Sequence, residues 1–189
     1  MSLSLRPRLL YERGRLFEHF IIEAPLNLGD IKRVGSVYGT PCPSCPTDPH
    51  NGIDIGADRY TAFIAAVPGT IVNILESSDD WSKNNVDVIL QYNTEFSLIY
   101  TFEPAHKIVV RAGQRVNRGD VIGYLGSREA GYIDQCVHFG VKRNDVWVCP
   151  VPYLTKKVRD KLNEVYRNVD FPRDPLNLCN CPEHQFYFE

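Results

Sequence analysis

From residue 62 onward the apolar residues come in short runs, interleaved with polar positions and separated by glycine or polar turns. The runs 62–67, 70–76, 86–92 and 96–102 are rich in Val, Ile, Tyr and Phe, and 108–110, 121–125 and 137–141 continue the series. Pro68-Gly69 and Asn93-Thr94 supply turns between two of these pairs, and 79–85 reads as a longer polar loop. Each run has strand length, and alternation along a strand sends one set of side chains to a core and the other to solvent. The pattern predicts a mainly β fold, a sandwich or a strongly twisted antiparallel sheet, rather than βαβ units. No helix is expected between 8 and 150.

The two ends differ from this middle. Leu9, Leu10, Leu16, Phe17, Phe20, Ile21 and Ile22 fit neither alternation nor a helical stripe, and predict an edge element packed on the main sheet. Leu154, Val158, Leu162 and Val165 recur at helical spacing among Lys156, Lys157, Arg159, Asp160 and Glu164. They predict one amphipathic helix on the outside of the sheet, with Pro150 and Pro152 before it and Pro172 after it. Ahead of the strands, Pro41, Pro43, Pro46 and Pro49 exclude helix and central strand, which leaves a shaped loop leading to His50. The expected organisation is an N-terminal edge element and loop (1–40), a β domain (41–154), and a C-terminal helix with a cysteine-containing tail (155–189).

Composition narrows the function classes. The 189 residues, 43% hydrophobic and 23% charged, suit one well-buried core. A net charge of -2 gives no reason to expect a nucleic-acid surface. No apolar run approaches the roughly 18 residues of a membrane helix, so no membrane span is expected. The first residues lack the apolar core and cleavage site of a secretory signal. That leaves a cytoplasmic protein, or one trimmed from an envelope or secreted precursor.

The candidate chemistry lies in two stretches, Pro49-His50-Asn51-Gly52-Ile53-Asp54-Ile55-Gly56 and Cys136-Val137-His138-Phe139-Gly140. Residues an even number apart on a strand share a face, so His50 can point with Asp54, and Cys136 with His138. Two imidazoles and a carboxylate are a ligand set for zinc with a fourth position left for water. The other cysteines form close pairs, Cys42 with Cys45 and Cys179 with Cys181. A structural zinc clip and disulfides between loop and tail both fit that spacing. Cys149 is expected as a buried free thiol.

The order of motifs adds to this. His50-x-Gly52-Ile53-Asp54-Ile55 is followed by Ala65-Ala66-Val67-Pro68-Gly69-Thr70-Ile71-Val72, and then by Val110-Arg111-Ala112-Gly113-Gln114-Arg115-Val116-Asn117-Arg118-Gly119-Asp120-Val121-Ile122-Gly123. Val137-His138-Phe139-Gly140-Val141 and a closing Pro152-Tyr153-Leu154 complete the series. From about His50 to Leu154 the chain resembles the M23 zinc metallopeptidases, the LytM and lysostaphin-like peptidoglycan endopeptidases.

The resemblance implies an antiparallel β-sheet groove of the LytM type with zinc at its floor, held by His50, Asp54 and His138. It implies a peptide or peptidoglycan-like substrate. It also marks two departures. The family's non-ligand histidines, which assist the water and stabilise the oxyanion, fall here on Cys136 and on Phe102 of Tyr100-Thr101-Phe102-Glu103-Pro104. Phenylalanine neither accepts a proton nor donates a hydrogen bond. Cys136 is a candidate substitute or a fourth zinc ligand that would close the shell, and His106 a candidate replacement base. The expected function is a zinc metallopeptidase domain with altered or lost catalysis; the alternative is a catalytically dead zinc scaffold acting as a binding or regulatory module. A biotinyl or lipoyl carrier hairpin is a remoter resemblance of residues 113–123, without a lysine at a matching turn.

Overall fold

The computed structural model describes residues 20–41, 49–76, 85–102, 108–126 and 136–167, together with a short hairpin of β1 (Tyr11–Glu12) and β2 (Arg15–Leu16). Beyond that hairpin, the described residues form one large antiparallel sheet with a small second layer and one α-helix. Its central strands are β4 (Gly52–Gly56), β7 (Val86–Gln91), β8 (Phe96–Phe102) and β11 (Cys136–Arg143). Short β3 (Arg33–Val34) lies outside β4, while β6 (Gly69–Glu76) and β9 (Arg115–Val116) continue beyond β7. The order is β3-β4-β11-β8-β7-β6-β9, and β12 (Val146–Val148) pairs with the end of β11. A two-residue turn at Asn144 and Asp145, both at positive φ, folds β12 back onto β11.

The central register explains the alternation read from the sequence. Val88, Tyr100, Phe139 and Ile53 sit side by side across four strands and are all fully buried. One residue along, Asp87, Thr101, His138 and Asp54 sit side by side on the opposite face, and none of them is fully buried. The sheet therefore has an apolar face and a polar face. Over the apolar face lies the second layer, β5 (Ala62–Ile64) paired with β10 (Val121–Tyr124). Phe63 of β5 meets Phe102 at 4.2 Å between ring centroids, and the Tyr100 hydroxyl accepts a hydrogen bond from the Ala66 amide. Each large side chain buried here contributes roughly 1.5–3 kcal/mol relative to exposure.

The N-terminal segment runs along this core rather than forming a regular edge strand. Phe20, Ile22, Ala24 and Leu26 are buried, and Ile22 makes an isolated parallel bridge to Leu154. Phe20 packs among Phe96, Tyr92 and Tyr153. Leu154 is thus part of that clamp and not of the helix. The helix, α1 (Lys156–Arg167), starts after Thr155, whose hydroxyl accepts from the Val158 amide. Its buried stripe is Val158, Leu162, Val165 and Tyr166, and it packs near β3. Residues 108–110 do not form a strand: Val109 is exposed and makes a single backbone bond to Ile122. No helix among the described residues is long and apolar enough to cross a membrane.

Candidate metal centre

The polar face of β4 reads Gly52, Asp54, Gly56. Asp54 spends its own backbone groups on the neighbouring segment, since its amide donates to Ser36 and its carbonyl accepts from Gly35. Towards β11 the Asp54–His138 pair therefore has no ladder bonds between them, the arrangement that brings opposed side chains closest. Gly52 matters for a different reason. A Cβ there would lie 2.7 Å from Cε1 and Nε2 of His138, and 2.7 Å from the Phe139 carbonyl oxygen. Glycine leaves the slot into which the His138 ring fits.

His50 approaches from the loop before β4. Its backbone is tied on both sides, to Thr40 through its amide and to Gly39 through its carbonyl, and its side chain is buried. Nδ1 of His50 donates to the Gly52 carbonyl at 2.9 Å. A carbonyl can only accept, so the neutral ring carries its lone pair on Nε2. That nitrogen faces the other two residues.

The three side chains converge. Asp54 Oδ1 lies 2.9 Å from His138 Nδ1 and 3.3 Å from His50 Nε2, and the two imidazole nitrogens are 3.1 Å apart. The rings meet edge to face at 89°. Two ligands each about 2.0–2.1 Å from a tetrahedral ion stand roughly 3.3 Å apart, so this donor set is the right size for zinc without rearrangement. Among the described residues it is the group of His, Cys, Asp and Glu that can hold a metal ion, with ligand atoms within 4.8 Å of one another.

The electrostatics follow from the same contacts. Burial disfavours the Asp54 carboxylate, but hydrogen bonds from His138 and His50 and their charges outweigh it and hold its pKa well below the ordinary range. Burial also opposes the His50 imidazolium. The hydrogen bond and charge of Asp54, with the carbonyls of Gly52 and Val37, prevail and raise its pKa above 6.5. Asp54 is thus a preformed anion facing His50, and a metal ion bound there would take the place of the His50 proton.

The remaining predicted site residues are placed differently. Cys136 shares the polar face with His138, one pair along at the register of Gly56, and remains a thiol. It is not in the group whose ligand atoms converge. Phe102 is on the apolar face, buried against Phe63. His106, Cys42, Cys45, Cys179 and Cys181 lie outside the described residues. Cys149 is buried as expected but is disulfide-bonded, which corrects the free-thiol expectation; its partner lies outside the described residues. Two features of the site were not read from the sequence. The alternation Gly52, Asp54, Gly56 already places both glycines on the face of Asp54 and was the signal available. Arg33, on β3 beside Gly56, carried none.

Solved structures similar to this one include a zinc-containing peptidase from Vibrio cholerae (19% identity, TM-score 0.56, covering 72% of this chain and 40% of that one). Csd3 from Helicobacter pylori matches at 23% identity and TM-score 0.56, over 72% of this chain and 34% of its own. The catalytic domain of the antimicrobial peptidase lysostaphin from Staphylococcus simulans matches at 23% identity and TM-score 0.53, over 67% and 93%. At these identities the likeness is one of fold, and the chain spans well under half of the Csd3 and Vibrio chains. No curated protein matches in sequence. The model for peptidase family M23, however, matches residues 48–150, the stretch that holds all three converging side chains, and the chain belongs to that family.

Proposed function

We propose that this chain is a zinc metallopeptidase domain acting on peptidoglycan-type peptides, with His50, Asp54 and His138 as the zinc ligands and hydrolysis slower than in relatives that carry both assisting histidines. The observation that carries the reading is the convergence of three ligand atoms at the spacing of a tetrahedral zinc shell, with Cys136 outside the group. A tetrahedral ion held by these three residues would keep one position for water. Zinc bound there supplies Lewis acidity towards a peptide carbonyl and lowers the pKa of water.

The chain's own residues prepare the site. Gly52 fixes the His50 tautomer through its carbonyl and makes room for His138 by lacking a side chain. Asp54 stays ionised because both imidazoles donate to it or face it. The β body over 41–154 is the catalytic unit, flanked by 1–40 and 155–189. Loss of a general base typically costs 10²–10⁴ in rate, and neither Cys136 nor Phe102 supplies an imidazole. A second reading, a zinc-holding module that binds such peptides without cleaving them, draws on one specific observation: Phe102 faces the core.

Metal analysis of the purified chain and of Asp54→Ala tests the ligand set. About one zinc per chain in the wild type and none in the variant is expected; a wild type that binds no zinc overturns it. Release of cross-bridge peptides from peptidoglycan fragments, abolished by chelation and restored by zinc, is expected at a low rate. Tight peptide binding with no turnover decides for the second reading.

A further inference from the structure

Gly56 on β4 has a tenant of its own. A Cβ at this position would lie 2.5 Å from Cγ, 2.6 Å from Nε and 3.1 Å from Cδ of Arg33. Arg33 is paired with Gly56 across β3 and β4, and Gly56 is in turn paired with Cys136 of β11. Their immediate neighbours in the strands, Val34, Ile55 and Val137, all point into the core. The Arg33 side chain therefore lies on the polar face, laid over a glycine in the same row as Cys136. Asp54 and His138 form the next row on that face.

The two glycines thus do parallel work. Gly52 leaves a slot for the ring of His138, and Gly56 leaves a slot for the stem of Arg33. Nε lies over Gly56, and the terminal nitrogens follow two bonds further along the same side chain. We propose that the Arg33 guanidinium substitutes for the imidazole absent at position 136, donating N–H bonds to the oxyanion that develops on the carbonyl under attack in the groove.

The chemistry suits the role. A guanidinium is charged at every working pH and has five N–H donors, so a contact made elsewhere by one of them leaves others for a ligand. It accepts no proton, so it supplies electrostatic stabilisation and not a general base. A preorganised donor of this kind is worth about 10²–10³-fold when it meets charge present only in the transition state. Adjacent rows on one face of a strand are about 6.5 Å apart, so the flexible Arg33 side chain starts one row from the converging group. This inference rests on the zinc-peptidase reading above.

The test compares two ligands by calorimetry on zinc-loaded protein: a phosphinate pseudopeptide, which carries the tetrahedral oxyanion, and the matching uncleaved peptide. Arg33→Gln is expected to weaken the phosphinate about 10²-fold while peptide affinity and zinc content stay as in the wild type. Arg33→Lys is expected to fall between the two. Gly56→Ala, which keeps Arg33 but fills its slot, is expected to weaken the phosphinate in the same direction. Equal loss for both ligands overturns the proposal, because it describes uniform binding, and so does no loss for either. If the wild type takes up no zinc, the metal reading falls and this proposal with it. If zinc is bound and Arg33→Gln leaves phosphinate affinity intact, the proposal alone falls.

Discussion

The two faces of the central sheet are built from the same strands, yet they solve opposite problems. On one face Ile53, Phe139, Tyr100 and Val88 fill a continuous core. On the other, one residue along, Asp54, His138, Thr101 and Asp87 line a partly exposed groove. The difference lies in how space is used. The core face fills space with large side chains, whereas the groove face keeps Gly52 and Gly56 so that His138 and Arg33 can occupy it. Stability and chemistry are thereby separated by a single step along the chain.

Adjacent substitutions on β11 break that comparison most sharply. His138→Ala removes one of the three converging side chains, and on the proposed reading zinc affinity should fall by more than the roughly 10–100-fold that disturbing a ligand-orienting group costs. Metal titration measures this, and the chelator-treated protein should lose only the His138–Asp54 contact, a smaller loss of stability than an emptied core site. Phe139→Ala, one position on, empties a fully buried site beside Tyr100 and should cost about 3–5 kcal/mol in denaturant unfolding. Zinc binding of whatever remains folded should be close to normal. Equal effects on both quantities from both variants would show that the faces are not separable.

Phe102→His is the next sharpest probe, because it puts an imidazole where the resemblance places an assisting histidine, at a position that faces the core. The imidazole would sit against Phe63 and beside Gly123, with no polar partner among those neighbours. A cost of about 2–4 kcal/mol in unfolding free energy is expected, with no gain in hydrolysis. A gain in turnover would mean that residue 102 can turn to the groove.

How much of this was legible in the sequence depends on how local the signal was. Strands β7, β8 and β11 were readable because alternation records two environments on one strand. His50, Asp54 and His138 were readable because spacing and motif order both pointed to them. Residues 108–110 misled because apolar, β-branched composition does not supply a partner strand. Leu154 fitted the helical stripe by spacing, but the Ile22 bridge holds it outside the helix. Arg33 was invisible, since a two-residue strand has no period and its meaning comes from a glycine more than 20 residues away. The disulfide at Cys149 was unreadable for the same reason: connectivity is spatial.

A smaller effect is expected from Gly52→Ala. The new Cβ would crowd the His138 ring and the Phe139 carbonyl, and the Gly52 carbonyl that orients His50 would move with them. Disturbing groups that orient ligands typically costs 10–100-fold in metal affinity. Zinc titration should place Gly52→Ala in that interval, between wild type and His138→Ala. Affinity equal to wild type would show that the slot is not needed.

The smallest expected effect separates the metal from the protons it replaces. In chelator-treated protein the raised pKa of His50 means that its stabilising contact with Asp54 is fully present below pH 6.5 and is lost as pH rises through the folded value. Asp54 has a depressed pKa, so its contribution is present above the ordinary carboxylate range, near 3.8, and stays constant between pH 5 and 9. Zinc requires the proton of His50 to leave, so its binding strengthens over the same interval in which the proton-dependent contact fades. Both trends act in one direction. The melting temperature of zinc-loaded protein minus that of chelator-treated protein should widen from pH 5.5 towards 8.5, by several degrees, and level off above the His50 pKa. His50→Ala should flatten most of that slope, whereas a distant ion pair such as Arg143 with Glu95 should leave it untouched when broken by Glu95→Gln. A gap that narrows with rising pH would mean that protons and metal do not compete for His50, and that the two faces differ in polarity but not in the chemistry assigned to the groove.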